Sequence, residues 1–156
     1  MYLKSSIVIV LTAIVVGCVT SKVPSADAWG EYKSFEKELT KESGAVELSP
    51  YLSGRLMSFV DQAANDDERR QFMAEVAYPV WVANERAHYQ KRADNGGICL
   101  TVNGLASDGE PASVSILYVA EGRRLKADEV HYELVGDESQ LRKGAQCPSE
   151  FSLDYP

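Results

Sequence analysis

Residues 113–121 read SVSILYVAE, and this stretch decides the fold. It is rich in β-branched and aromatic side chains, which is the composition typical of a strand. Two further segments alternate apolar and polar side chains, 98–102 (ICLTV) before it and 129–135 (EVHYELV) after it. Such alternation is typical of half-buried strands. The polar loop 104–111 and Gly122 keep the connections short, so the three strands predict an antiparallel meander.

The first half of the chain shows the three- and four-residue spacing of helices. Apolar and aromatic residues recur in this way over 29–39, and Ser49–Pro50 is a helix start signal. The acidic stretch 65–68 favours the start of a third helix, which Pro79 is expected to break. The spacing in 80–92 predicts a further helical segment. Helices first and strands later predict an α+β fold, with two to four N-terminal helices packed on a C-terminal antiparallel meander sheet of three to four strands.

This order of elements loosely resembles the cystatin-like and NTF2-like α+β folds, in which helices precede a curved antiparallel sheet. The resemblance rests on the order alone, and no motif residue carries it. It implies a pocket between the helices and the sheet, with His131 and Tyr132 as candidate lining residues. A different helix-on-sheet arrangement is the alternative.

The N-terminal segment 1–17 (MYLKSSIVIVLTAIVVG) has the features of a secretory signal peptide. Lys4 supplies the positive charge, and Ile7–Val16 is an apolar run of ten residues. A helix needs about 18–20 apolar residues to span a bilayer. An uncleaved single-pass anchor is therefore the less favoured alternative.

Val15–Cys18 (VVGC) resembles the lipobox of bacterial lipoproteins, where aliphatic and small residues precede a cysteine. The resemblance implies that the Cys18 thiol receives a diacylglyceryl group, that the chain is cut before it, and that the new amine is acylated, for example with palmitate. Several acyl chains give stable membrane anchoring. The mature chain then divides into a lipidated tether (18–28) and a single domain (29–156). Because Val19 rather than Asp follows the cysteine, the expected location in a Gram-negative cell is the outer membrane, facing the periplasm.

Three cysteines are an odd number for an exported protein. If Cys18 is lipidated, Cys99 and Cys147 remain as a pair, and an oxidising compartment favours a disulfide between them. In the chain-entropy model, closing a loop of this length contributes about 4 kcal/mol. Two separate thiols are the alternative.

The composition argues against several classes of function. The 156 residues carry a net charge of −7, which argues against nucleic-acid binding because that requires a basic surface. Two histidines and three cysteines leave little material for a zinc site. Glu85 and His88 have the spacing of a pair on one helix face, but di-metal bundles use two such pairs. The sequence predicts no catalytic residue, no metal and no cofactor.

The predicted partner-binding residues are Tyr78, Trp81 and Tyr89. Tyr78 and Trp81 flank Pro79, where a broken helix would expose them, and Tyr and Trp dominate binding hot spots. Packing in the core is the alternative.

The lipobox and the lack of an assembled catalytic set together predict a non-enzymatic protein-interaction module tethered to the cell envelope. One version is an inhibitor or immunity protein directed at an envelope-targeting enzyme, since an acidic surface suits a basic partner. A small-ligand binder or enzyme is the competing hypothesis, and a purely structural envelope component is the third.

Overall fold

A computed structural model describes residues 27–41 and 47–151. The signal peptide, the lipobox with Cys18, and the tether as far as residue 26 lie outside the described residues. Ala28, the last residue of the predicted tether, is fully buried at the start of the first helix. Within the described ranges, no helix is both long and apolar enough to cross a membrane.

The described residues form three α-helices followed by a four-stranded sheet, which confirms the predicted α+β fold. The helices are α1 (Ala28–Leu39), α2 (Gly54–Asp61) and α3 (Asp66–Val76), and the strands are β1 (Asn84–Arg92), β2 (Ile98–Leu105), β3 (Pro111–Glu121) and β4 (Arg124–Leu134). Each strand pairs antiparallel with the next, in the order β1-β2-β3-β4. The sheet is therefore the predicted meander, with one more strand than the three segments first identified.

The start of α2 differs from the prediction. Ser49 and Pro50 form a turn, and the helix begins at Gly54 with Ser53 as its N-cap. The Ser53 Oγ accepts a hydrogen bond from the Leu56 amide (3.2 Å) and donates one to Asp128 Oδ1 (2.6 Å). This cap is buried, and it ties the helix start to β4. The start of α3 agrees with the prediction, because Asn65 Oδ1 accepts from the Glu68 amide (2.9 Å).

The predicted helical segment 80–92 is wrong, because most of it is the edge strand β1. Polar side chains occupy both faces of this strand, so its sequence lacks the alternation that marks a half-buried strand. The β1–β2 register shifts between Glu85 and Ala87, which makes Arg86 an extra, bulged residue. Gly104 lies opposite this bulge, where a Cβ would come within 2.2 Å of the Asn84 carbonyl oxygen. Only glycine lets β1 approach β2 this closely.

The two faces of the sheet have different chemistry. On the face towards the helices, here called the apolar face, the buried residues of β2 and β3 are Ile98, Leu100, Val102, Ala112, Val114, Ile116 and Tyr118. Ala28, Tyr32 and Phe35 of α1 belong to the same buried cluster. On the opposite polar face, β2 and β3 bury Thr101, Asn103, Ser113 and Ser115.

Residues 137–151, here called the strap, cover the polar face. The Thr101 Oγ1 accepts a hydrogen bond from the Gln146 amide (2.9 Å), and the Asn103 side chain donates to the Arg142 carbonyl (2.6 Å). A disulfide between Cys99 and Cys147 joins the strap to β2, as the cysteine count predicted. These contacts explain why β2 is buried on both faces rather than half-buried.

Candidate functional site

The predicted exposure of Tyr78 is wrong. Tyr78 is 0% exposed, and its hydroxyl lies 3.0 Å from that of Tyr118. The chain after α3 turns through a short 3-10 helix, Tyr78–Trp81, and the Pro79 carbonyl accepts a hydrogen bond from the Tyr32 hydroxyl (3.4 Å). Burial raises the pKa of the Tyr78 hydroxyl above its usual value. Tyr78 therefore belongs to the core and is not available to a partner.

Trp81 has a different environment. Its ring is half-buried and lies 5.2 Å, centroid to centroid, from that of Tyr132 on the apolar face of β4. Val80 precedes Trp81 and is 52% exposed, and Leu134 lies on the same sheet face as Tyr132 and is 50% exposed. We name these four residues, Val80, Trp81, Tyr132 and Leu134, the aromatic patch. It combines a rigid ring pair with two exposed aliphatic side chains, as a binding hot spot requires.

Carboxylates border the aromatic patch. Asp108 and Glu110 lie in the β2–β3 turn, whose end is joined to the end of β4 by a hydrogen bond from the Val135 amide to the Pro111 carbonyl (2.9 Å). Burial raises the pKa of the Tyr132 hydroxyl, and the charges of Asp108 and Glu110 raise it further. Among the described residues, neither of these two carboxylates is in an ion pair. The patch is thus an apolar surface with a negative border.

Tyr89, the third predicted partner-binding residue, lies elsewhere. It is 36% exposed on the polar face of β1, where it is the cross-strand partner of Thr101. Tyr78 is in the core and Trp81 is on the apolar side of the sheet. The three predicted residues therefore do not form one surface.

The pocket candidates His131 and Tyr132 are also separated, because consecutive strand residues point to opposite faces. His131 is on the polar face, where its ring stacks on that of Phe151 at a centroid distance of 3.8 Å. It borders two shallow clefts, one of about 410 Å³ that Arg55 and Glu129 also line, and one of about 340 Å³ that Arg142 and Gln146 also line. The larger cleft lies where α2 meets β4 and the strap, since Leu56 also lines it, and Tyr132 lines neither cleft.

The charged groups around these clefts are largely neutralised in pairs. The Arg142 guanidinium donates to both carboxylate oxygens of Glu133 (2.6 Å each), and Lys91 donates to Glu150 (2.6 and 2.9 Å). Burial lowers the pKa of His131, an effect that Glu133 opposes and Arg142 reinforces. His131 is therefore neutral near pH 7, and its ring nitrogens make no hydrogen bond to another described residue. Gln146 Oε1 is buried and has no hydrogen-bond partner within residues 27–41 and 47–151.

The Glu85–His88 pair forms, but on a strand. The bulge at Arg86 brings both side chains to the same face, and His88 Nδ1 lies 2.9 Å from Glu85 Oε1. The His88 ring also stacks on Trp29 of α1, with centroids 3.9 Å apart. No group of three potential metal ligands occurs in the part of the chain that the structure describes. This cluster therefore holds α1 against the sheet edge, a role that the predicted helical pairing did not anticipate.

Comparisons with known proteins give no significant match. No protein-family model matches the chain, and neither a curated protein nor a solved structure is significantly similar to it. The resemblance to cystatin-like and NTF2-like folds therefore stays at the level of element order.

Proposed function

We propose that this protein is a lipid-anchored module of the cell envelope that binds a protein partner. The pairing of the cysteines is the observation that supports the lipid anchor. The Cys99–Cys147 disulfide fits an oxidising compartment and accounts for two of the three cysteines in the sequence. Cys18, directly after the apolar run and the small residue Gly17, remains for lipidation. The expected location is the outer membrane, facing the periplasm.

The aromatic patch supports the partner-binding part of the proposal. Trp81 and Tyr132 offer aromatic surface at low entropic cost, and large exposed apolar groups next to each other mark interaction sites more often than isolated ones do. An inhibitor or immunity protein for an envelope-targeting enzyme is the version we favour, because the net charge of −7 would attract a basic enzyme at long range.

Metabolic labelling with a fatty acid tests the anchor. The full chain is expected to incorporate labelled palmitate and to sediment with membranes, and Cys18→Ala is expected to abolish both. A Cys99→Ser/Cys147→Ser double variant is the matched control, because it removes the other two thiols and should keep the label. Label that persists in Cys18→Ala, or that never appears in the parent, would contradict the anchor.

A small-ligand site beside His131 is the second candidate function. The observation that favours it is a neutral imidazole without a hydrogen bond to the described residues, at the meeting point of two clefts. NMR titration of the isotope-labelled protein with a fragment library tests it. Saturable shifts confined to the surroundings of His131 would support a ligand site, and their absence across the library would remove this candidate.

A further inference from the structure

We propose that the aromatic patch docks a basic protein surface in which an apolar side chain is surrounded by Lys or Arg. This inference rests on the proposed function and specifies both the surface and the chemistry of the partner.

The patch has the geometry of an anchor site. The Trp81 ring is held against Tyr132, so it presents a preformed surface and little rotamer entropy is lost on binding. Val80, next to Trp81 in the chain, and Leu134, on the same strand face as Tyr132, are about half exposed and add apolar surface. A partner side chain that covers these groups would remove them from water, which contributes roughly 25 cal/mol per Å² of apolar area.

The charges at the border of the patch indicate that the partner surface is positively charged. Elsewhere on the described surface, many acids have a basic partner, such as Glu31 with Arg124 (2.6 Å) and Glu150 with Lys91 (2.6 Å). Asp108 and Glu110, at the border of the patch, have no basic partner among the described residues.

A negative border around an apolar centre complements Lys or Arg around an apolar side chain. Such an arrangement excludes acidic partners by repulsion and speeds the encounter with basic ones. Asp108 and Glu110 can pair with such a partner without first breaking an ion pair to another described residue.

Site-specific photo-crosslinking in the cells that make the full-length chain tests the location. A photoreactive phenylalanine replaces Val80 or Leu134 in the patch, and Phe59 serves as the matched control, because it is a similarly exposed apolar residue (48%) on α2. We expect the same protein to be captured at positions 80 and 134 and not at 59, and mass spectrometry of the adduct to identify a protein with a basic surface.

Neutralising the carboxylates at the border of the patch tests whether charge attracts the partner. We expect Asp108→Asn/Glu110→Gln to slow association with the captured protein about tenfold at low salt and much less at high salt. Asp61→Asn/Asp94→Asn removes the same formal charge at other exposed positions and should have a much smaller effect.

The outcomes separate the two proposals. An acidic partner at the patch, an adduct of two copies of this chain, or capture at position 59 alone would overturn the docking inference but leave a protein-binding function in place. If the Asp61→Asn/Asp94→Asn variant slowed association as much as the Asp108→Asn/Glu110→Gln variant, the border carboxylates would have no special role in docking. If a chain that carries the lipid gives no adduct at any of the three positions, the docking inference fails. A photoreactive group in place of Tyr89, on the polar face, then tests the protein-binding function separately, and that function fails too if no protein is captured there.

Discussion

The apolar and polar faces of the sheet are both buried, but by different means. The apolar face is covered by helices through side-chain packing, which includes the edge-to-face contact of Phe35 and Tyr78 (5.2 Å). The polar face is covered by the strap, which has no α-helix or strand and is held by hydrogen bonds and one disulfide. The helices share a large buried apolar cluster with the sheet, whereas the strap shares only a small one around the disulfide, which is lost on reduction. The strap should therefore be the part of the domain that opens first.

The largest expected change in stability comes from a substitution on the apolar face. Phe35→Ala should lower the free energy of unfolding by about 3–5 kcal/mol, because it removes a fully buried ring and leaves a cavity. Phe59→Ala removes the same ring from a residue that is 48% exposed and should change stability by about 0.5 kcal/mol or less. Urea unfolding followed by circular dichroism measures both. Equal losses in the two variants would contradict the packing described for α1.

The second prediction concerns a variant that should loosen the strap on the polar face and leave the apolar core intact. Cys99→Ser/Cys147→Ser should cost about 2–4 kcal/mol, because the unfolded chain loses a cross-link between residues 48 positions apart. Hydrogen exchange should show faster exchange of the strap amides, including Gln146, whereas amides of α1 should open only with the whole domain. If the loss of protection were uniform, the strap and the apolar core would form one cooperative unit, and the distinction between the faces would be wrong.

The same distinction explains what the sequence could predict. Alternation in 98–102 and 129–135 and the composition of 113–121 predicted β2, β4 and β3, because these strands pack an apolar face against helices. Cys99–Cys147 followed from counting thiols. The burial of Thr101 and Ser115 was not predicted, because alternation cannot show that a strap will cover the polar side.

Errors concentrate where tertiary context overrides a local pattern. β1 was predicted as helix because an edge strand with polar residues on both faces has no period of two. Tyr78 was predicted to be exposed because Pro79 follows it, but the 3-10 turn directs the ring into the core. The aromatic patch joins Trp81 to Tyr132, residues far apart in sequence, and the packing of the 3-10 turn against β3 and β4 brings them together.

The third prediction concerns the hydrogen bonds of the polar face. Thr101→Val keeps the shape but removes the oxygen that accepts from the Gln146 amide (2.9 Å) and contacts Ser115 Oγ (2.9 Å). Leaving a buried amide without an acceptor should cost about 1–3 kcal/mol. Thr101→Ser keeps the oxygen and should cost less. A Val variant as stable as the Ser variant would show that the strap amide finds another partner, such as water.

The smallest expected effect is a pH dependence from His131. Its pKa is lower in the folded protein than the usual value near 6.5, chiefly through burial against the strap. Between the two pKa values the unfolded chain binds more protons, so the contribution of His131 to stability is complete above about pH 6.5 and declines as the pH falls through the folded pKa. His131→Phe keeps an aromatic ring for stacking on Phe151 but cannot take up a proton. Urea unfolding at a series of pH values from 7.5 to 5 should therefore show the parent losing stability relative to this variant as the pH falls, while shared carboxylate effects cancel in the difference. A difference that stays constant, or that grows in favour of the parent at low pH, would mean that protonation of His131 does not oppose closure of the strap.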